Sequence, residues 1–110
     1  MMEEQNKKTN EELMNNAIRG VDKIKKNVSA DVIKDYEILQ LVNTKTMQDT
    51  GFAVKLQLNT HYEYDEAILS EWKKLICADD WYISVKRNQL HVSFIVRFKN
   101  ESTNEKYKPL

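Results

Sequence analysis

WYISVKRNQLHVSFIVRF, residues 81–98, is the stretch whose reading decides the fold. Apolar residues hold every second position on both halves: Trp81, Ile83 and Val85, then Leu90, Val92, Phe94, Val96 and Phe98. Strand side chains alternate between two faces, so the pattern is that of a β-hairpin with one apolar face. With Asn88 and Gln89 as a two-residue turn, Val85 pairs with Val92, Ile83 with Phe94 and Trp81 with Val96. The other face then carries Lys86 beside His91, Ser84 beside Ser93, and Tyr82 beside Ile95.

Upstream, Phe52, Val54, Leu56 and Leu58 alternate with Ala53, Lys55, Gln57 and Asn59, the mark of a second half-buried strand. Gln48-Asp49-Thr50-Gly51 reads as the turn before it. Residues 29–47 fit neither period cleanly. Ser29 could cap a short helix, but a strand over about 36–45 agrees better with the turn and strand that follow. Two helices frame these strands. Thr9 and Glu12 have capping-box spacing, and Leu13, Met14, Ala17, Ile18, Val21 and Ile24 recur at helical intervals over 10–26. Gly20 inside this helix marks close packing, expected against the sheet. Asp65 is suited to cap a helix over 65–78, whose apolar stripe is Ile68, Leu69, Trp72, Leu75 and Ile76.

The fold class expected is therefore two-layer α+β, an antiparallel sheet with helices on one face in the order α-ββ-α-ββ. The alternative, αα-β-α-ββ, applies if residues 30–47 are helical. The chain divides into a flexible lead (1–9), one domain (10–100) and a flexible polar tail (101–110), with no repeats or internal linker.

Lys plus Arg and Asp plus Glu both number 17, so the chain of 110 residues has no net charge and lacks the strong field that non-specific nucleic-acid binding exploits. Arg is scarce, and abundant Lys and Asn with little Gly or Pro suggest an AT-rich genome. Cys77 is the sole cysteine, which excludes an intrachain disulfide. No apolar run suits a signal peptide or a membrane span, so a cytoplasmic protein without a membrane partner is expected.

Signatures of catalysis and of cofactor binding are missing from the sequence. Gly20 and Gly51 are isolated, so no phosphate-cradling loop can be built, and neither a nucleophile elbow nor a His-Glu-x-x-His pattern occurs. His61 and His91 fall at polar-face positions of expected strands, but with Cys77 they lack metal-ligand spacing. The acids between Glu63 and Asp80 have plainer roles as helix caps and loop residues. No catalytic residue, metal or cofactor is assigned, and the chain is read as a non-enzyme.

Charge is nonetheless uneven. Residues 56–80 hold six acids and two bases, net −4, whereas 81–110 hold two acids and six bases, net +4. Tyr82, Lys86, Arg87, His91, Ile95, Arg97 and Lys99 on the outer side of the hairpin are the candidate partner-binding residues. A Tyr and an apolar residue amid Arg and Lys suit a protein contact. The expected function is a small protein-binding module, an accessory or inhibitory protein of an AT-rich bacterium, phage or mobile element. The alternative is a nucleic-acid binder with bases on Tyr82 and phosphates on the cations. The plainer reading of the face is a solvated surface whose charges blunt an edge strand. Self-association is left open.

Overall fold

The computed structural model describes residues 10–98 and the backbone of residues 105–109. The fold is two-layer α+β in the order α-ββ-α-ββ, with a further short strand at the end. Helix α1 (Asn10–Asn27) starts with Glu11 and Glu12 and ends with Lys25 and Lys26, charges that suit the helix dipole at both ends. Thr9, the expected cap, lies outside the described residues. Strand β1 (Ile33–Asn43) follows a turn in which the Val32 N–H donates to Ser29 O at 3.0 Å, so the short helix considered at Ser29 is replaced by a turn.

β1 and β2 (Asp49–Leu58) form an antiparallel hairpin. Its turn lies at residues 44–48, earlier than the expected 48–51. Asn43 Oδ1 accepts from the N–H groups of Lys45 and Thr46, an Asx turn that reverses the chain ahead of Asp49. Helix α2 (Glu66–Ile76) is capped by Asp65, whose Oδ1 accepts from the Ile68 N–H at 2.8 Å. It ends in a Schellman motif: Ala78 N–H donates to Lys73 O and Cys77 N–H to Lys74 O. Cys77 is left-handed there, with φ 63° and ψ 39°, and its thiol is exposed. Because glycine adopts this conformation without strain, Cys77→Gly is expected to stabilise the fold by about 1 kcal/mol. An unchanged or lower urea midpoint would contradict that.

β3 (Asp80–Lys86) and β4 (Gln89–Arg97) form the hairpin read from the sequence, with its register moved by two residues. The turn is Arg87-Asn88, both with positive φ (52° and 63°), as a type I′ turn requires. The partners are therefore Val85 with Leu90, Ile83 with Val92, and Trp81 with Phe94. A shift of two preserves the faces while changing every opposite pair.

The sheet order is β3-β4-β2-β1-β5, all antiparallel, with β5 (Glu105–Pro109) beside β1. Part of the tail expected to be loose thus closes one edge of the sheet. Both helices lie on one face, over a core of Phe52, Val54, Leu56, Val92, Phe94 and Val96 from the central strands and Ala17, Val21, Ile24, Leu69, Trp72 and Ile76 from the helices. Gly20 packs against α2 and not against the sheet: a Cβ there would lie 2.2 Å from Leu75 O. The helix layer stops short of β3. Trp81 reaches the core, but Ile83 and Val85, expected to be covered, are 49% and 68% exposed.

Candidate functional site

The sheet's outer face is where the sequence placed the candidate residues, and its register separates them. Four cross-strand rows can be traced: Ser84–His91–Gln57–Asp35, Tyr82–Ser93–Lys55–Glu37, Asp80–Ile95–Ala53–Leu39, and Arg97–Gly51–Leu41. Tyr82 therefore faces Ser93, and Ile95 faces Asp80, so the expected Tyr82/Ile95 patch does not form. Ile95 is buried with Leu41 and Ala53 in a small second core on this side of the sheet. Tyr82 remains half-exposed.

The cations meet acids contributed by other strands. Arg97 Nη1 lies 3.0 Å from Asp80 Oδ2, while the Arg97 backbone N–H donates to Asp79 Oδ2. Lys55 stands opposite Glu37 across the β1–β2 pair. His91 lies in a small hollow with Asp35, Glu37, Lys55 and Gln57. Burial, helped by the Lys55 charge, lowers its pKa below the ordinary imidazole value, and Glu37 opposes the shift. Lys86 is exposed at the end of β3, and Arg87 is exposed in the turn beyond it. Lys99 lies outside the described residues. The face alternates in charge, and the stripe of cations drawn from the hairpin alone is not continuous. His61 is in the turn beyond β2, not on a strand, and does not share a surface row with His91. Among the described residues no group of three or more His, Cys, Asp or Glu is placed to hold a metal ion.

A different site lies on the helix side. The end of α1, the turn at 28–32, the segment 59–65 and one face of α2 enclose an open groove of about 710 Å³. Its apolar wall is formed by Val28, Val32, Tyr64, Ile68, Trp72 and Leu75. Ile68, which the helical stripe assigned to the core, is 36% exposed here because α2 turns it toward the groove and not the sheet. Glu63, Asp65 and Glu71 also line the groove, and among the described residues no Lys or Arg does.

Hydrogen bonds pin the segment that forms the rim. Tyr64 Oη donates to Asn59 O at 2.8 Å, and its ring meets Trp72 edge-on at a centroid distance of 5.9 Å. Tyr62 Oη donates to Asp31 Oδ1 at 2.8 Å, tying 59–65 to the turn after α1. Both phenols are held above the ordinary tyrosine pKa. The hydrogen bond to Asp31 is the main cause for Tyr62, and burial for Tyr64. Both hydroxyls thus remain neutral donors.

The sequence signalled parts of this groove: the Asp65 cap, the Trp72 stripe and the cluster of acids. Their convergence with Val28 and Val32 depends on how α1 packs across α2. Comparison with known proteins adds nothing to the geometry: no protein family, no curated protein and no solved structure matches the chain significantly. No helix among the described residues is long and apolar enough to cross a membrane.

Proposed function

We propose that the protein is a non-catalytic protein-binding module whose groove receives a partner segment bearing an apolar anchor next to Lys or Arg. The observation that carries this reading is the groove's lining, an aromatic and aliphatic wall with three carboxylates and, among the described residues, no cation. Apolar anchors supply most of the energy in such contacts, while complementary charge sets orientation and excludes wrong partners. Pinning of the rim by Tyr62 and Tyr64 limits the ordering cost of binding. An accessory or inhibitory role fits a small module of this kind. The nucleic-acid reading has less support, since Arg97 and Lys55 are matched by Asp80 and Glu37.

The test uses short peptides with Leu or Phe anchors flanked by Lys or Arg, titrated against a Trp81→Phe variant so that Trp72 alone reports by fluorescence. Saturable binding is expected, and it should weaken at least about tenfold in Ile68→Glu or in Glu63→Lys/Glu71→Lys. The matching peptides with Glu in place of Lys should not bind. No saturation with any basic peptide, or equal binding of the acidic controls, would overturn the proposal. Salt-dependent binding of an oligonucleotide, lost in Lys86→Glu/Arg87→Glu, would instead favour the outer face.

A further inference from the structure

The edge of the sheet at β3 is unlike the rest of the surface. β3 is the outermost strand, and among the described residues no strand pairs along its free side. Soluble proteins generally protect such an edge with inward-pointing charges, bulges or a covering segment. Here the middle of the strand carries Ile83 and Val85, 49% and 68% exposed, on the helix side of the sheet but beyond the helices' cover. Charge is confined to the two ends, Asp80 and Lys86.

The direction of the backbone groups follows from the hairpin. A two-residue turn closes on the hydrogen-bonded pair Lys86 and Gln89, so the even residues of β3 direct their N–H and C=O toward β4. Those of Trp81, Ile83 and Val85 point away from the sheet. The strand is also self-complementary. Reversed and centred on Ile83, DWYISVK sets Asp80 against Lys86, Trp81 against Val85, Tyr82 against Ser84 and Ile83 against itself. Of the three symmetric registers centred on Tyr82, Ile83 or Ser84, only the Ile83 register opposes the charges at both ends. It is also the one in which every outward-facing residue forms a hydrogen-bonded pair.

We propose that two copies of the chain associate through β3, antiparallel and centred on Ile83, to form one continuous sheet with two Asp80–Lys86 pairs between copies. The twofold axis runs perpendicular to the sheet, so both helix layers stay on the same side. Trp81, Ile83 and Val85 of the two copies then form a single apolar floor between the facing α2 helices. The contact is isologous and uses both β3 edges, so assembly stops at two. It is independent of the groove reading and leaves that groove free.

Analytical ultracentrifugation of the full chain, from low-micromolar to near-millimolar concentration, tests the proposal. A reversible monomer–dimer equilibrium is expected. Val85→Lys removes an apolar contact and should weaken dimerisation at least about tenfold. Lys86→Glu sets two acids against each other and should weaken it comparably. Ile83→Pro removes an N–H that β4 does not use, so the monomer should keep its fold by far-UV circular dichroism while dimerisation is lost. A protein that stays monomeric at every concentration would overturn the proposal. So would a dimer indifferent to Val85→Lys, Lys86→Glu and Ile83→Pro.

Discussion

Gly20→Ala is expected to destabilise the protein by about 3 kcal/mol, the upper end of the cost of overpacking. The sign opposes local propensity, since alanine in place of glycine inside a helix is favourable by roughly 1 kcal/mol. The cause is the crossing of α1 over the last turn of α2. A Cβ at Gly20 would lie 2.2 Å from Leu75 O, 2.6 Å from Leu75 C and 2.7 Å from Ile76 Cα. These are backbone atoms within hydrogen-bonded helix, so no rotamer change relieves the overlap. The helices must move apart, opening space around Ala17, Val21 and Ile24, all fully buried. Urea denaturation of Gly20→Ala beside Asn15→Ala, on the exposed side of the same helix, isolates the effect. The first should lower the midpoint and the second leave it unchanged or slightly raised. Equal responses would mean that α1 does not approach α2 this closely.

A loss of similar size, about 3 kcal/mol, is expected for Gly51→Ala, with strain and overlap combined. Gly51 lies between Leu41 and Arg97 in the middle of the sheet, with φ +157°, which L residues rarely adopt. Its Cβ would fall 2.1 Å from Val96 O. Beside it, the register steps from Leu41↔Gly51 to Val42↔Asp49, leaving Thr50 as an extra residue in β2. Thr50 O accepts the Phe98 N–H at 2.9 Å, so this irregularity also secures the end of β4. Besides lowering stability, Gly51→Ala should speed amide exchange at Phe98 and Arg97 more than within α1. A uniform change across the protein would show that the site is not a local fastening.

Much of the fold was legible because the decisive patterns are local. Alternation over 52–58 and 81–98 identified strands and their buried faces without knowledge of any neighbour. Helical spacing, the Thr9–Glu12 capping spacing and Asp65 located both helices to within two residues. The hairpin register was legible only to within a shift of two, because that shift leaves every side chain on its face. Its actual value is set by the turn, where Arg87 and Asn88 take the positive φ that a type I′ turn requires.

The candidate site was less legible, for a reason that Lys55, Glu37 and Asp80 illustrate. A surface drawn from one hairpin counts that hairpin's cations, whereas β2 and β1 add their own charges in register with it. Residues 32 to 44 positions apart likewise meet in the groove, where Val28 and Val32 face Tyr64 and Trp72.

By itself, the sequence determined both helices and strands β2, β3 and β4, the two-layer class and the apolar face of each of these elements, favoured a strand at β1 and gave no sign of β5. These follow from backbone geometry, whose periods of 2 and 3.6 residues act within a few positions. Only the tertiary structure decided that β3 is an edge with Ile83 and Val85 uncovered, that Gly20 meets a helix and not the sheet, and that the acids around Glu63 and Glu71 border an aromatic groove. Those outcomes depend on strand order and helix crossing, which are set by contacts between distant parts of the chain and leave no periodic trace in any one segment.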